Sequence, residues 1–161
     1  RIIYDGNNAT AGTMTGFDTK YLTDGFDSTA SLLAPNFYKT GYGFAGWSKD
    51  PDAVDNSTDK IYGPNEDVPA DEFTFDSNRE TTLYAVWVPS TGTMQGWSGC
   101  SSMSEGQVIA LTDSRDSNVY TVAKQADGNC WMIENLRLNP STASVTAALT
   151  NNPDSTFLAN G

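Results

Sequence analysis

The chain has 161 residues, enough for one ordinary domain or two small ones. Its net charge of -11 repels nucleic-acid phosphates and anionic lipid surfaces, so no nucleic-acid partner is expected. It contains no histidine and only two cysteines, which excludes Cys/His and Ser/His/Asp catalysis as well as His/Cys and four-cysteine zinc sites.

The chain opens at Arg1 in the strand-like run "RIIYD", which reads as the start of a piece cut from a longer polypeptide. The stretch "STASLLAPNF", 28 to 37, predicts a short helical turn ended by Pro35. "GYGFAGW" alternates Tyr42 and Phe44 with small residues, then shifts the alternation at Trp47. "EFTFD" places Phe73 and Phe75 on one face of a predicted strand. "TTLYAVWV" is apolar on both sides, with Leu83, Ala85 and Trp87 facing one way and Tyr84, Val86 and Val88 the other.

Proline, glycine, serine and threonine then cluster in "VPSTGTMQG", which predicts a linker over residues 89–95. Both flanking parts are acidic, so charge does not mark this boundary. Beyond it, "QVIALTD" and "NVYTVAK" predict two strands around the polar turn "SRDS", where Arg115 and Asp116 are expected to form an ion pair or to bond the block around Trp131, Glu134 and Asn135. Asp127-Gly128 signals a further hairpin leading into "CWMIENLRL". "STASVTAALTNN", 141 to 152, is the one helix predicted late in the chain. The whole reads as β-rich α+β, with no run apolar enough to span a bilayer and hence no membrane insertion.

Four blocks in the first part point further. "IIYDGN", "LLAPNFYKTGYGFAGWS", "IYGPNED" and "TTLYAVW" occur in the order that characterises the Listeria-Bacteroides repeat, the internalin B-repeat type. Residues 1–88 resemble that family. Asn8 departs from its common glycine, and "TKYLTDGFD" lengthens the segment between the first two blocks. The resemblance implies a small β-grasp-like module that serves as a spacer or adhesion element along bacterial surface proteins. Physically, Tyr42, Phe44, Trp47, Tyr84 and Trp87 then read as an aromatic core rather than a cofactor stack.

Residues 96–161 carry a second pattern. Arg115, Asp116, Tyr120, Val122, Gly128, Trp131, Met132, Glu134, Asn135 and Leu136 fall on the "RD-G/S-x-x-Y-x-V" and "G-x-x-WM-x-E-NL" blocks. The segment is similar to the Fibrobacter succinogenes major paralogous domain. That family's domain normally continues well past this block, so only its N-terminal part is expected. The resemblance implies a secreted or surface protein of a bacterium.

An even pair of cysteines in a secreted acidic chain predicts a Cys100–Cys130 disulfide rather than a reactive thiol. Trp97, Trp131, Glu134 and Asn135 are candidate ligand-binding residues, although a polar pair such as Glu134 and Asn135 more often bonds a neighbouring turn. Asp50, Asp52, Asp55 and Asp59 form an oxygen-rich loop that fails the EF-hand spacing, which leaves a solvated loop as the default and calcium as the alternative. No cofactor and no catalytic residue is expected. The favoured reading is a non-enzymatic surface spacer or adhesion module whose partner is a host or cell-wall glycan or protein. The alternatives are a lectin-like binding module and, behind it, a hydrolase whose catalytic residues lie outside these residues.

Overall fold

A computed structural model describes residues 1–16, 29–54, 59–134 and 136. The two-sided run at 81–88 becomes the organising strand, β7 (Thr81–Thr93). Its first half lies between β1 (Ile2–Asp5) and β5 (Tyr42–Ser48). β1 runs parallel to it, from Ile2 opposite Thr81 to Asp5 opposite Tyr84. β5 runs antiparallel, from Tyr42 opposite Pro89 to Ser48 opposite Tyr84, with a bulge between Phe44 and Gly46. That bulge is the physical form of the shifted alternation at Trp47.

The second half of β7 pairs in parallel with β8 (Val108–Thr112), Ser90 opposite Ala110 and Thr93 opposite Thr112. β9 (Val119–Lys124) and the edge strand β10 (Cys130–Met132) continue the sheet in antiparallel steps. Two small ladders complete the first part. β2 (Ala11–Gly12) pairs with β4 (Phe37–Tyr38), and β3 (Thr29–Ser31) with β6 (Asp67–Pro69).

Each face of β7 supplies a core. Leu83 and Ala85 join Ile2, Tyr4, Leu32, Phe44, Trp47, Tyr62, Val68 and Phe73 in the larger cluster. Val86 joins Ala45 and Ala53 on the opposite face, with Val108 of β8 packed against them. The β8–β9 layer approaches β5 closely at one point. A Cβ on Gly43 would lie 2.6 Å from Thr121 Cγ2 and 3.0 Å from Ala110 Cβ. Only glycine permits that approach.

The β-rich expectation holds, and among the described residues the helical turns are two 3-10 turns, Ala70–Glu72 and Gly99–Ser102. Several expectations are corrected. The predicted helical turn at 28–37 is replaced by strand β3 over Thr29–Ser31, because Ala30 points into the core opposite Val68, and residues 32–36 are irregular. "EFTFD" follows a 3-10 turn and makes no ladder, although Phe73 and Phe75 both reach the core, as their alternation implied. Residues 89–93 of the predicted linker are strand, since β8 supplies partners for them. Tyr42 is exposed beneath the Lys39 ammonium instead of buried. The helix predicted at 141–152 lies outside the described residues. Among the described residues, no helix is long and apolar enough to cross a membrane.

Replacing Gly43 by valine should destabilise the protein by about 1–3 kcal/mol through overpacking against Thr121 and Ala110. Urea denaturation measures this. An unchanged midpoint would contradict the packing of β9 on β5.

Candidate functional site

The candidate residues gather where β10 leaves the sheet. The Asp127-Gly128 turn forms as its sequence requires, with Gly128 at φ +82° and the Gln125 N–H bonded to the Asn129 carbonyl at 2.8 Å. The Asp127 carboxylate accepts the backbone and side-chain N–H groups of Asn129 at 2.9 and 3.1 Å. These bonds, and one from the Trp131 side chain, hold Asp127 below its ordinary pKa, the Asn129 backbone contributing most. Trp131 itself is 55% exposed.

Cys100 and Cys130 are disulfide-bonded, with Cα atoms 5.8 Å apart. The bond joins the Gly99–Ser102 turn to the edge strand. Lys124 on β9 reinforces the same link by donating to the Cys100 carbonyl at 2.9 Å, and buried Met103 packs against Cys130. Closing a loop of this separation, 30 residues, stabilises by roughly 3–4 kcal/mol in the chain-entropy account.

Glu134 reaches back across the sheet. Its Oε1 accepts the backbone N–H of Thr121 at 2.8 Å and the Thr121 hydroxyl at 2.9 Å. Thr121 is fully buried at the centre of β9. The Ile133 N–H adds a bond to the Thr121 carbonyl at 3.0 Å. Glu134 therefore seats the end of β10 on β9, the structural use weighed for it from sequence.

Met132, Ile133 and Glu134 also line one wall of a half-open cleft of about 440 Å³. Ala34, Pro35, Pro64 and Asn65 line the other wall. Trp97 and Trp131 are not among the lining residues. Trp97 is half-buried over Gly99, where a Cβ would meet the indole nitrogen at 2.8 Å. Asn135 and Asp55 lie outside the described residues.

The oxygen-rich loop is organised around the chain itself. Asp50 Oδ1 accepts the Asp52 N–H at 2.9 Å, and Ser48 Oγ accepts the Asp50 N–H at 3.1 Å. Among the described residues, no three His, Cys, Asp or Glu side chains are grouped to hold a metal ion.

One buried carboxylate carries several hydrogen bonds that its sequence position did not single out. Asp113 is fully buried at the end of β8 and receives Arg115 through both Nε and Nη2, the shortest bond being 2.6 Å. Gln95 Nε2 donates to the same carboxylate at 2.8 Å. The Arg115 hydrogen bonds hold Asp113 below the ordinary aspartate value of 3.8. Asp116 instead accepts the backbone and side-chain N–H groups of Asn118 at 2.9 and 2.7 Å. The ion pair of Arg115 is thus made with Asp113, where Asp116 was expected. The "D-x-R" spacing straight after a strand was the available signal.

In the first part, burial pushes the Tyr62 phenol up to about 12, with Glu72 adding to the shift. The phenol stays neutral and donates to Glu72 at 3.2 Å. The Lys60 ammonium, bonded to the same carboxylate, holds Glu72 below its ordinary pKa.

Replacing Glu134 by alanine leaves the buried Thr121 N–H without this acceptor and should cost about 1–3 kcal/mol. Replacing it by glutamine keeps a carbonyl oxygen there and should cost much less. Urea midpoints of both variants measure this, and equal losses would contradict the assigned role. No family model, no curated protein and no solved structure matches the chain.

Proposed function

We propose that the chain is a non-enzymatic segment of a bacterial cell-surface or secreted modular protein, working as a spacer and adhesion module. In this reading a β-grasp-like repeat of the Listeria-Bacteroides type, residues 1–88, leads into the N-terminal part of a Fibrobacter-major-paralogue-type domain, residues 96–161. One observation carries the reading: Trp47, Trp87 and Glu134, on which the resemblances partly rest, hold the fold. Trp47 donates to the Leu33 carbonyl at 2.9 Å, Trp87 to the Gly6 carbonyl at 2.9 Å, and Glu134 anchors Thr121. The disulfide fits an oxidising compartment outside the cytosol. The acidic surface favours a soluble, non-aggregating segment.

A second reading, a lectin-like binding module, is favoured by the cleft beside Glu134 and by the exposed indole of Trp131. It requires glycan-dependent chemical-shift changes concentrated at residues 131–134.

The first reading is tested on intact cells of the source bacterium. Antibody against residues 1–134 should label the surface or the culture supernatant, and the recovered protein should gain two hydrogens in mass on reduction. Protein confined to the cytosol, with both thiols free, would overturn it.

A further inference from the structure

A spacer carries tension between its two ends, and this topology gives that tension a defined path. β1 and β10 stand at opposite ends of the strand path β1-β7-β8-β9-β10. β1, β7 and β8 run parallel, and β9 opposes both β8 and β10. The first and last strands of the path therefore point the same way. Pulling on the N-terminal end of β1 and the C-terminal end of β10 drags them in opposite senses along their own axes.

The disulfide shortens the path. Load arriving at β10 from the C-terminal side meets Cys130, crosses to Cys100, and enters the chain that follows Thr93. Once the three residue pairs between β10 and β9 have been passed, this covalent route reaches the C-terminal end of β7 without running through β8 and β9. β7 pulled from its C-terminal end against β1 pulled from its N-terminal end is a parallel pair loaded in shear. The four residue pairs from Ile2↔Thr81 to Asp5↔Tyr84 then share the load at once. The Thr81 N–H bond to the Arg1 carbonyl, 2.9 Å, extends the ladder at its loaded end. Ile2, Tyr4 and Leu83 are buried beneath it, so sliding the strands also drags apolar side chains through a packed core.

We propose that the chain is a load-bearing element, in which β1 and β7 form a shear clamp and the Cys100–Cys130 bond routes tension onto it. This rests on the spacer reading only for its biological purpose, since the mechanics belong to the fold.

Single-molecule force spectroscopy tests the proposal on the full chain. One set of molecules carries handles at the two chain ends. A second carries them at the N-terminus and at exposed Asn78, through a non-natural side chain, so that β1 and β7 are pulled apart from the same end. Shear should give a single rupture at roughly twice the same-end force or more, because the same-end geometry breaks the pairs in sequence. A dithiol reductant, which delivers two electrons and two protons to the disulfide, should then release the 30-residue separation. At 3.3–3.6 Å per residue this adds about 100 Å of contour length. Equal or lower force in the end-to-end geometry overturns the clamp. No added length on reduction overturns the routing. Neither result bears on surface display, which cell labelling tests separately.

Discussion

The structure depends on one strand that buries side chains on both of its faces over its first half. Leu83 and Ala85 are fully buried on one side of β7, and Val86 is 1% exposed on the other. A strand buried on both faces needs a layer above it and a layer below it. The first part of the chain supplies one layer, centred on Trp47. The β8–β9 layer covers the other, through Val108 and the close approach at Gly43. Full burial of each Val- or Leu-sized side chain contributes about 1.5–3 kcal/mol, so neither cover is incidental.

Trp47 shows how the larger core holds an irregular segment in place. Its ring packs against Tyr4 and Phe44, with centroids 4.7 and 4.9 Å away. Its indole N–H bonds the Leu33 carbonyl, while the Tyr4 hydroxyl accepts the Leu33 N–H at 3.1 Å. Two aromatic side chains thereby satisfy both backbone groups of a residue outside any strand. Gly46, at φ +149°, makes this possible. A Cβ there would lie 2.5 Å from the Tyr62 carbonyl oxygen and block the bridge between Trp47 and Tyr62. In the second part Glu134 and Thr121 do the same work with a carboxylate in place of aromatic rings.

Much of this was legible in the sequence. The two-sided run at 81–88, the break in alternation before Trp47, the Asp-Gly turn and the cysteine pairing all follow from residue types and spacing. The misreadings have a common cause. Residues 29–31 and 89–93 lack strong local patterns and become strand because distant residues offer them partners, Val68 for Ala30 and β8 for the end of β7. "EFTFD" has the strand pattern without a partner, and so packs without pairing. The cleft was hidden for the same reason: its walls, Pro35 and Pro64 on one side and Met132 on the other, are remote in sequence. Asp113 was obscured among twenty acidic residues, and only its burial against Arg115 and Gln95 distinguishes it.

The central claim is that β7 joins its two covering layers into one cooperative structure. Native-state hydrogen exchange along this strand tests it most directly. The amides of Leu83, Ala85 and Val86 should exchange with the same opening free energy as those of Leu111 and Tyr120, and should respond together to added denaturant. Two separate groups of amides, one protected in 81–88 and another opening earlier in β8 and β9 with its own denaturant dependence, would contradict the account.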